Sequence, residues 1–137
     1  MSDHGVLRWN MMKSACPTRQ VLDRIANKWT MLVIMSLEDK TLRFSELRSR
    51  IEGVSQKMLT QTLRGMESDG FVLRTVYPTV PVTVEYSLTD LGESLAKTVD
   101  VLRGWAYGHM SAIEDARKEY LARTETLPSE AQMRDAG

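Results

Sequence analysis

The stretch Gly53-Val54-Ser55-Gln56-Lys57-Met58-Leu59-Thr60-Gln61-Thr62-Leu63-Arg64-Gly65-Met66 decides the reading of this chain. Gly53 makes a turn and Ser55 is a good N-cap, so a helix is expected over about Gln56 to Asp69. Leu59, Leu63 and Met66 recur at i, i+4 and i+7 and form its inward stripe. Facing outward are then Gln56, Lys57, Thr60, Gln61 and Arg64, with Ser55 at the start. The first outward acid is Glu67, one turn past Arg64. An ordinary solvated helix mixes acids with bases, as the stretch from Glu114 to Arg123 does. A strip of amides, hydroxyls and cations without a carboxylate instead suits the floor and walls of a DNA groove. Gln can bond adenine edges in two places, Arg or Lys can bond guanine O6 and N7, and Ser or Thr can reach phosphate.

The flanking sequence supplies the frame for that strip. A short helix over about Arg43 to Ile51 has Phe44, Leu47 and Ile51 on one face and joins the next helix through Gly53, a helix-turn-helix pattern. Upstream, Cys16-Pro17-Thr18 reads as a helix start, followed by an apolar stripe of Val21, Leu22, Ile25 and Ala26. A second helix, about Trp29 to Leu37, is apolar around most of its circumference and is expected to be buried. Downstream of Gly70 the period changes to two: Phe71, Leu73 and Thr75, then Val82, Val84, Tyr86 and Leu88. Pro78 and Pro81 bracket the connection, so the pair reads as a hairpin with a stiff tip. Thr89 caps a long last helix whose apolar side is Leu91, Leu95, Val99, Leu102, Ala106 and Ile113. Gly104 and Gly108 within it either admit a neighbouring helix or mark a break.

This order predicts a mainly α (α+β) chain: a winged helix-turn-helix with a two-stranded wing and a long C-terminal helix. Three parts are expected: an N-terminal arm over 1–15, the domain with its last helix over 16–123, and a polar tail over 124–137. The wing tip carries no charge, so its DNA contacts would come from Thr79 and Thr83, with Arg74 the nearest cation. Alternatively the hairpin only closes the core. Trp29, Phe44 and Phe71 read as core.

Length agrees with one domain, whereas zero net charge by itself argues against a nucleic-acid partner. The chain has 137 residues and zero net charge. Residues 1–84 nevertheless carry 12 basic and 8 acidic side chains, and residues 85–137 carry 6 and 10. The basic excess concentrates at Lys40, Arg43, Arg48, Arg50, Lys57 and Arg64. A local basic face matters to phosphate more than the total, although a solvated surface would look the same on charge alone. No apolar run approaches the roughly 20 residues of a membrane span, and the first residues do not read as a secretory signal. One cysteine excludes an internal disulfide framework and fits a reducing compartment. Neither His4 nor His109 sits in a catalytic or metal-binding context, and no phosphate loop or nucleophile elbow occurs. No cofactor, no metal and no enzymatic activity are expected.

From Cys16 to about Trp105 the chain resembles the HxlR-type regulators of bacteria, relatives of the MarR group. The matching stretches are Cys16-Pro17, Lys28-Trp29-Thr30, Arg43-Phe44-Ser45-Glu46-Leu47, Val54 through Gln61, Leu63 to Gly70, Arg74-Thr75-Val76-Tyr77-Pro78 and Val84 through Thr89. The resemblance implies a cytoplasmic transcriptional regulator that binds double-stranded DNA as a homodimer on a two-fold symmetric operator. It implies dimerisation through the arm, the first helix and the last helix, which places Trp9, Met12, Leu22, Leu95, Val99, Leu102, Trp105 and Ala106 at the dimer interface. Two departures stand out. Ala26-Asn27 replaces a pair of glycines common in the family, and Pro81-Val82-Thr83 replaces a wing that often carries Arg or Lys.

Cys16 stands at a helix start, where the macrodipole favours an anion, and Lys13 and Arg19 are near in sequence. Relatives that sense oxidants, quinones or aldehydes through a cysteine at this place make Cys16 the candidate sensor, with a small electrophile or oxidant as its partner. The alternatives are a small buried cysteine without a sensing role, a regulator answering to another small molecule, or a winged-helix protein-interaction module.

Overall fold

Pro17 takes the first position of helix α1 (Pro17–Ile25), where its missing N–H leaves no helical hydrogen bond unmade. Asn27 caps α2 (Lys28–Leu37) by accepting from the Trp29 N–H at 2.9 Å. The computed structural model describes residues 9–126; residues 1–8 of the expected arm and residues 127–137 of the expected tail lie outside the described residues. Strand β1 (Leu42–Arg43), helix α3 (Phe44–Arg50), helix α4 (Gln56–Ser68), strands β2 (Val72–Tyr77) and β3 (Thr83–Leu88) and helix α5 (Asp90–Thr126) follow. The chain divides into two units after Asp100, and the core described next belongs to the first.

That core joins Val33, Ile34 and Leu37 of α2 to Leu47 of α3, Leu59, Leu63 and Met66 of α4, and Leu95, Ala96 and Val99 of α5. Thr30 and Thr62 are the buried polar residues among those described; the Thr62 hydroxyl donates to the Met58 carbonyl at 2.7 Å, so it costs the core little. Phe71 is buried, and Trp29 and Phe44 pack against the cluster. At the α3–α4 turn Gly53 has φ +86°, the left-handed region that other residues enter only at a cost.

The sheet differs from the expected pair of strands. β1 adds a third, with order β1-β3-β2, antiparallel throughout. Leu42 pairs with Tyr86 and Arg43 with Glu85. Arg43 is therefore the last residue of a strand and the N-cap of α3, not the first helical residue; its N–H donates to Glu46 Oε1 at 2.9 Å. In the hairpin, Val72 pairs with Leu88, Arg74 with Tyr86 and Tyr77 with Thr83. A two-residue strand is too short to display a period, which is why the alternation signal missed it.

Helix α5 (Asp90–Thr126) runs unbroken through Gly104 and Gly108, so of the two readings of these glycines the break is not the one realised. Thr89 does cap it: its hydroxyl oxygen accepts from the Gly92 N–H at 3.0 Å and its proton goes to the Gly70 carbonyl. Within the second unit the Trp105 and His109 rings stack, centroids 4.5 Å apart, and His109 Nδ1 lies 2.7 Å from the Trp105 carbonyl oxygen. Among the described residues no helix is long and apolar enough to cross a membrane.

Candidate nucleic-acid interface

Helix α4 is oriented by its own core stripe. Leu59, Leu63 and Met66 are sealed from solvent, and burying three such side chains is worth roughly 1.5–3 kcal/mol each. The helix is thereby prevented from rolling, and Gln56, Lys57, Gln61 and Arg64 are exposed, with Thr60 half-buried at the edge. The Ser55 oxygen accepts from the Met58 N–H at 3.1 Å, which caps the helix and leaves its hydroxyl proton free to donate outward. No acid lies in the first turn, so the positive end of the helix dipole is uncompensated and available to phosphate.

Two grooves flank the helix. One, of about 340 Å³, lies between α4 and the sheet and gathers Thr60 and Arg64 with Arg74 of β2, together with Phe44, Tyr86 and Glu67. Three expected contact residues thus converge, with one carboxylate among them. The second, of about 310 Å³, lies between α4 and α1 and sets Gln61 beside Gln20, Asp23, Arg24 and Asn27. The α1 residues were not singled out from the sequence; their side chains are polar, and only the packing of two helices distant in the chain brings them to this face.

The wing tip is braced internally. Thr79 Oγ1 donates to the Pro81 carbonyl at 2.7 Å and lies 2.8 Å from Thr83 Oγ1. With the Thr79 proton used on Pro81, the Thr83 proton goes to Thr79. As placed, neither hydroxyl has a proton left for phosphate, so a contact there needs one internal bond broken. Val80 at the tip is fully exposed. Arg43 is exposed beside its strand partner Glu85.

The expected dimer residues divide. Trp9, Met12, Leu22, Leu102 and Trp105 are exposed, and Ala106 is half-buried. Val99 at 2% and Leu95 at 9% exposure are corrections: they face the core of their own protomer, where with Ala96 they join the buried apolar cluster. Leu95 contributes only a rim to an apolar groove of about 420 Å³ with Val21, Ile25, Phe71 and Leu91.

Cys16 is the N-cap of α1 and is 7% exposed. The Asn10 N–H donates to its sulfur at 3.3 Å. Its pKa is lowered from the ordinary thiol value, first by a hydrogen bond from the Thr18 side chain. Burial opposes the shift, and the backbone N–H groups of Thr18, Asn10 and Arg19 add to it. Arg19, expected to act through its charge, contributes through its backbone N–H. Among the described residues no group of three or more His, Cys, Asp or Glu is placed to hold a metal ion.

Residues 24–114 match the family model described as HxlR-like helix-turn-helix. The uncharacterized HTH-type transcriptional regulator YtfH of Escherichia coli (strain K12) is 42% identical over 113 residues, which are 82% of this chain and 90% of that protein. The solved structure of ytfH from Salmonella typhimurium superposes with a TM-score of 0.76 at 42% identity, covering 80% of this chain and 98% of that one. The redox regulator HypR in its oxidized form superposes at 0.63 with 40% identity, covering 68% and 96%.

Proposed function

The chain belongs to the HxlR-like helix-turn-helix family, and from that premise we propose that this transcriptional regulator binds a two-fold symmetric operator as a homodimer. Each protomer inserts Ser55 to Arg64 into a major groove, and the dimer sets the half-site separation near one helical turn or a multiple. The observation that carries this reading is the outward face of α4: Lys57, Gln61 and Arg64 exposed, the leucine–methionine stripe sealed behind them, and no acid in the first turn. Arg74 and Arg43 extend the basic face on the sheet side, and Gln56 and Thr60 line its edge. Thr79 and Thr83 contribute the shape of the wing tip.

Apolar exposure supports dimerisation. Trp9, Met12, Leu22, Leu102 and Trp105 are large apolar side chains exposed in the single protomer, and a partner copy would cover them. Selection of bound DNA from a random pool, with sedimentation of the free protein, tests both halves. A palindromic consensus bound by a dimer is expected; a monomer, or a chain that enriches no sequence, refutes the reading.

Cys16 is the proposed sensor within this regulator. Similarity to HypR, described as a redox regulator, supports it, as does the lowered thiol pKa. A chain with one cysteine forms a disulfide only with another molecule, the oxidant taking up the two electrons and two protons. Diamide or a quinone is expected to change the operator affinity of the wild type by about tenfold, a 1.4 kcal/mol effect, and to leave Cys16→Ser unchanged. Equal responses in both proteins assign Cys16 to packing and leave induction to another ligand.

A further inference from the structure

We propose that Arg24 is a positioning residue for DNA reading, tying α1 to the back of α4 so that the exposed strip keeps a fixed angle. The inference rests on α4 being the groove-entering helix. None of the nine residues of α1 is fully buried, so core packing alone holds that helix loosely. A polar tie makes up for this. The Arg24 Nε–H donates to Asp69 Oδ2 at the C-cap of α4. The guanidinium lies directly over Gly65, where an added Cβ would overlap Nη1 and come within 2.6 Å of Cζ. Glycine is a poor residue in the middle of a helix. Here its bare backbone forms the seat for the planar guanidinium, with Asp69 one turn further on as the stop. Gln61, one turn before Gly65, shares the α1–α4 groove with Arg24. A change in how Arg24 sits therefore changes the pitch of Gln61 and, with it, Lys57 and Arg64.

The ion pair is partly exposed, 36% and 27% for the two side chains, so its contribution to global stability is small. That makes position and stability separable. Gly65→Ala puts a methyl under the guanidinium, whose flexible far end swings aside; helix propensity rises, so the fold survives. Asp69→Asn removes the counter-charge without touching Arg24.

The test uses the full chain and its selected operator. Gly65→Ala and Asp69→Asn are each expected to speed amide hydrogen exchange along α1 severalfold, with the melting temperature not lowered. Each should also weaken operator binding by about threefold to tenfold, with the salt slope unchanged. Wild-type exchange rates in both single variants overturn the tie. Faster exchange with wild-type affinity overturns its role in positioning. Should Arg24→Ala weaken binding and lower the salt slope by about one unit while Asp69→Asn does not weaken it, Arg24 is a phosphate contact and the proposal fails. A wild type that selects no DNA refutes the operator reading and this role with it, whatever the exchange rates show about the tie itself.

Discussion

Gly92→Ala is expected to lower folding stability by about 3 kcal/mol, the upper part of the range for overpacked sites. A Cβ there would collide with the Phe71 carbonyl oxygen and stand 3.0 Å from its carbon and 3.2 Å from Leu88 Cδ2. The obstacle is backbone, so it cannot swing away as a side chain does. The same carbonyl already accepts from the Thr89 N–H at 3.1 Å, and the Thr89 hydroxyl bridges Gly70 and Gly92. Moving the corner to admit a methyl breaks bonds at the start of both the sheet and α5. With total stability of about 5–15 kcal/mol for a domain, such a loss is large, and the melting temperature should fall by roughly 10 °C. Gly104→Ala is the control: nothing lies within 4 Å of its would-be Cβ. There, helix propensity alone predicts a gain of up to about 1 kcal/mol. Urea unfolding of both variants checks the contrast, and a wild-type midpoint for Gly92→Ala refutes the close approach.

Arg64→Ala and Lys57→Ala are expected to reduce operator affinity by about tenfold to a hundredfold each, the 1–3 kcal/mol of a good base contact. Both side chains are exposed and outside the core, so their melting temperatures should hold, within the ±0.5 kcal/mol usual for surface changes. The kind of contact can be read from salt. A lost phosphate contact lowers the salt slope by about one unit and weakens all sequences alike, whereas a lost base contact relaxes preference at one position. Arg64 has an additional neighbour to consider: Glu67 shares its groove with Arg74, and a carboxylate there tempers the local field toward phosphate. Lys57 lies at the other end, by the uncompensated helix start, and should show the larger salt term. Unchanged affinity and preference in both variants would remove α4 from the groove.

Much of this architecture was legible because its signals are local. Helix starts at Pro17 and Ser55, the stripe through Leu59, Leu63 and Met66, and the period-two run after Gly70 each arise from a few neighbouring residues. The wing tip was also legible as uncharged, but not the bracing of Thr79 against Pro81 and Thr83, which depends on how the turn closes. The dimer set shows the same limit more sharply. Leu95 and Val99 belong to the apolar side of α5, and periodicity says that this side is covered without saying by what; the protomer's own core covers it.

The order of amino acids alone determined which helices and which hairpin form, in what sequence, and which side chains of α4 are left over once the apolar ones turn inward. Tertiary structure alone decided which distant pieces share space: Leu42–Arg43 against β3, Arg24 over Gly65 and beside Asp69, and Gly92 against the Phe71 carbonyl. The physical reason is range. Periodicity and capping act within one or two turns of chain, whereas these contacts join residues whose separation along the chain leaves no mark on the local pattern until packing brings them together.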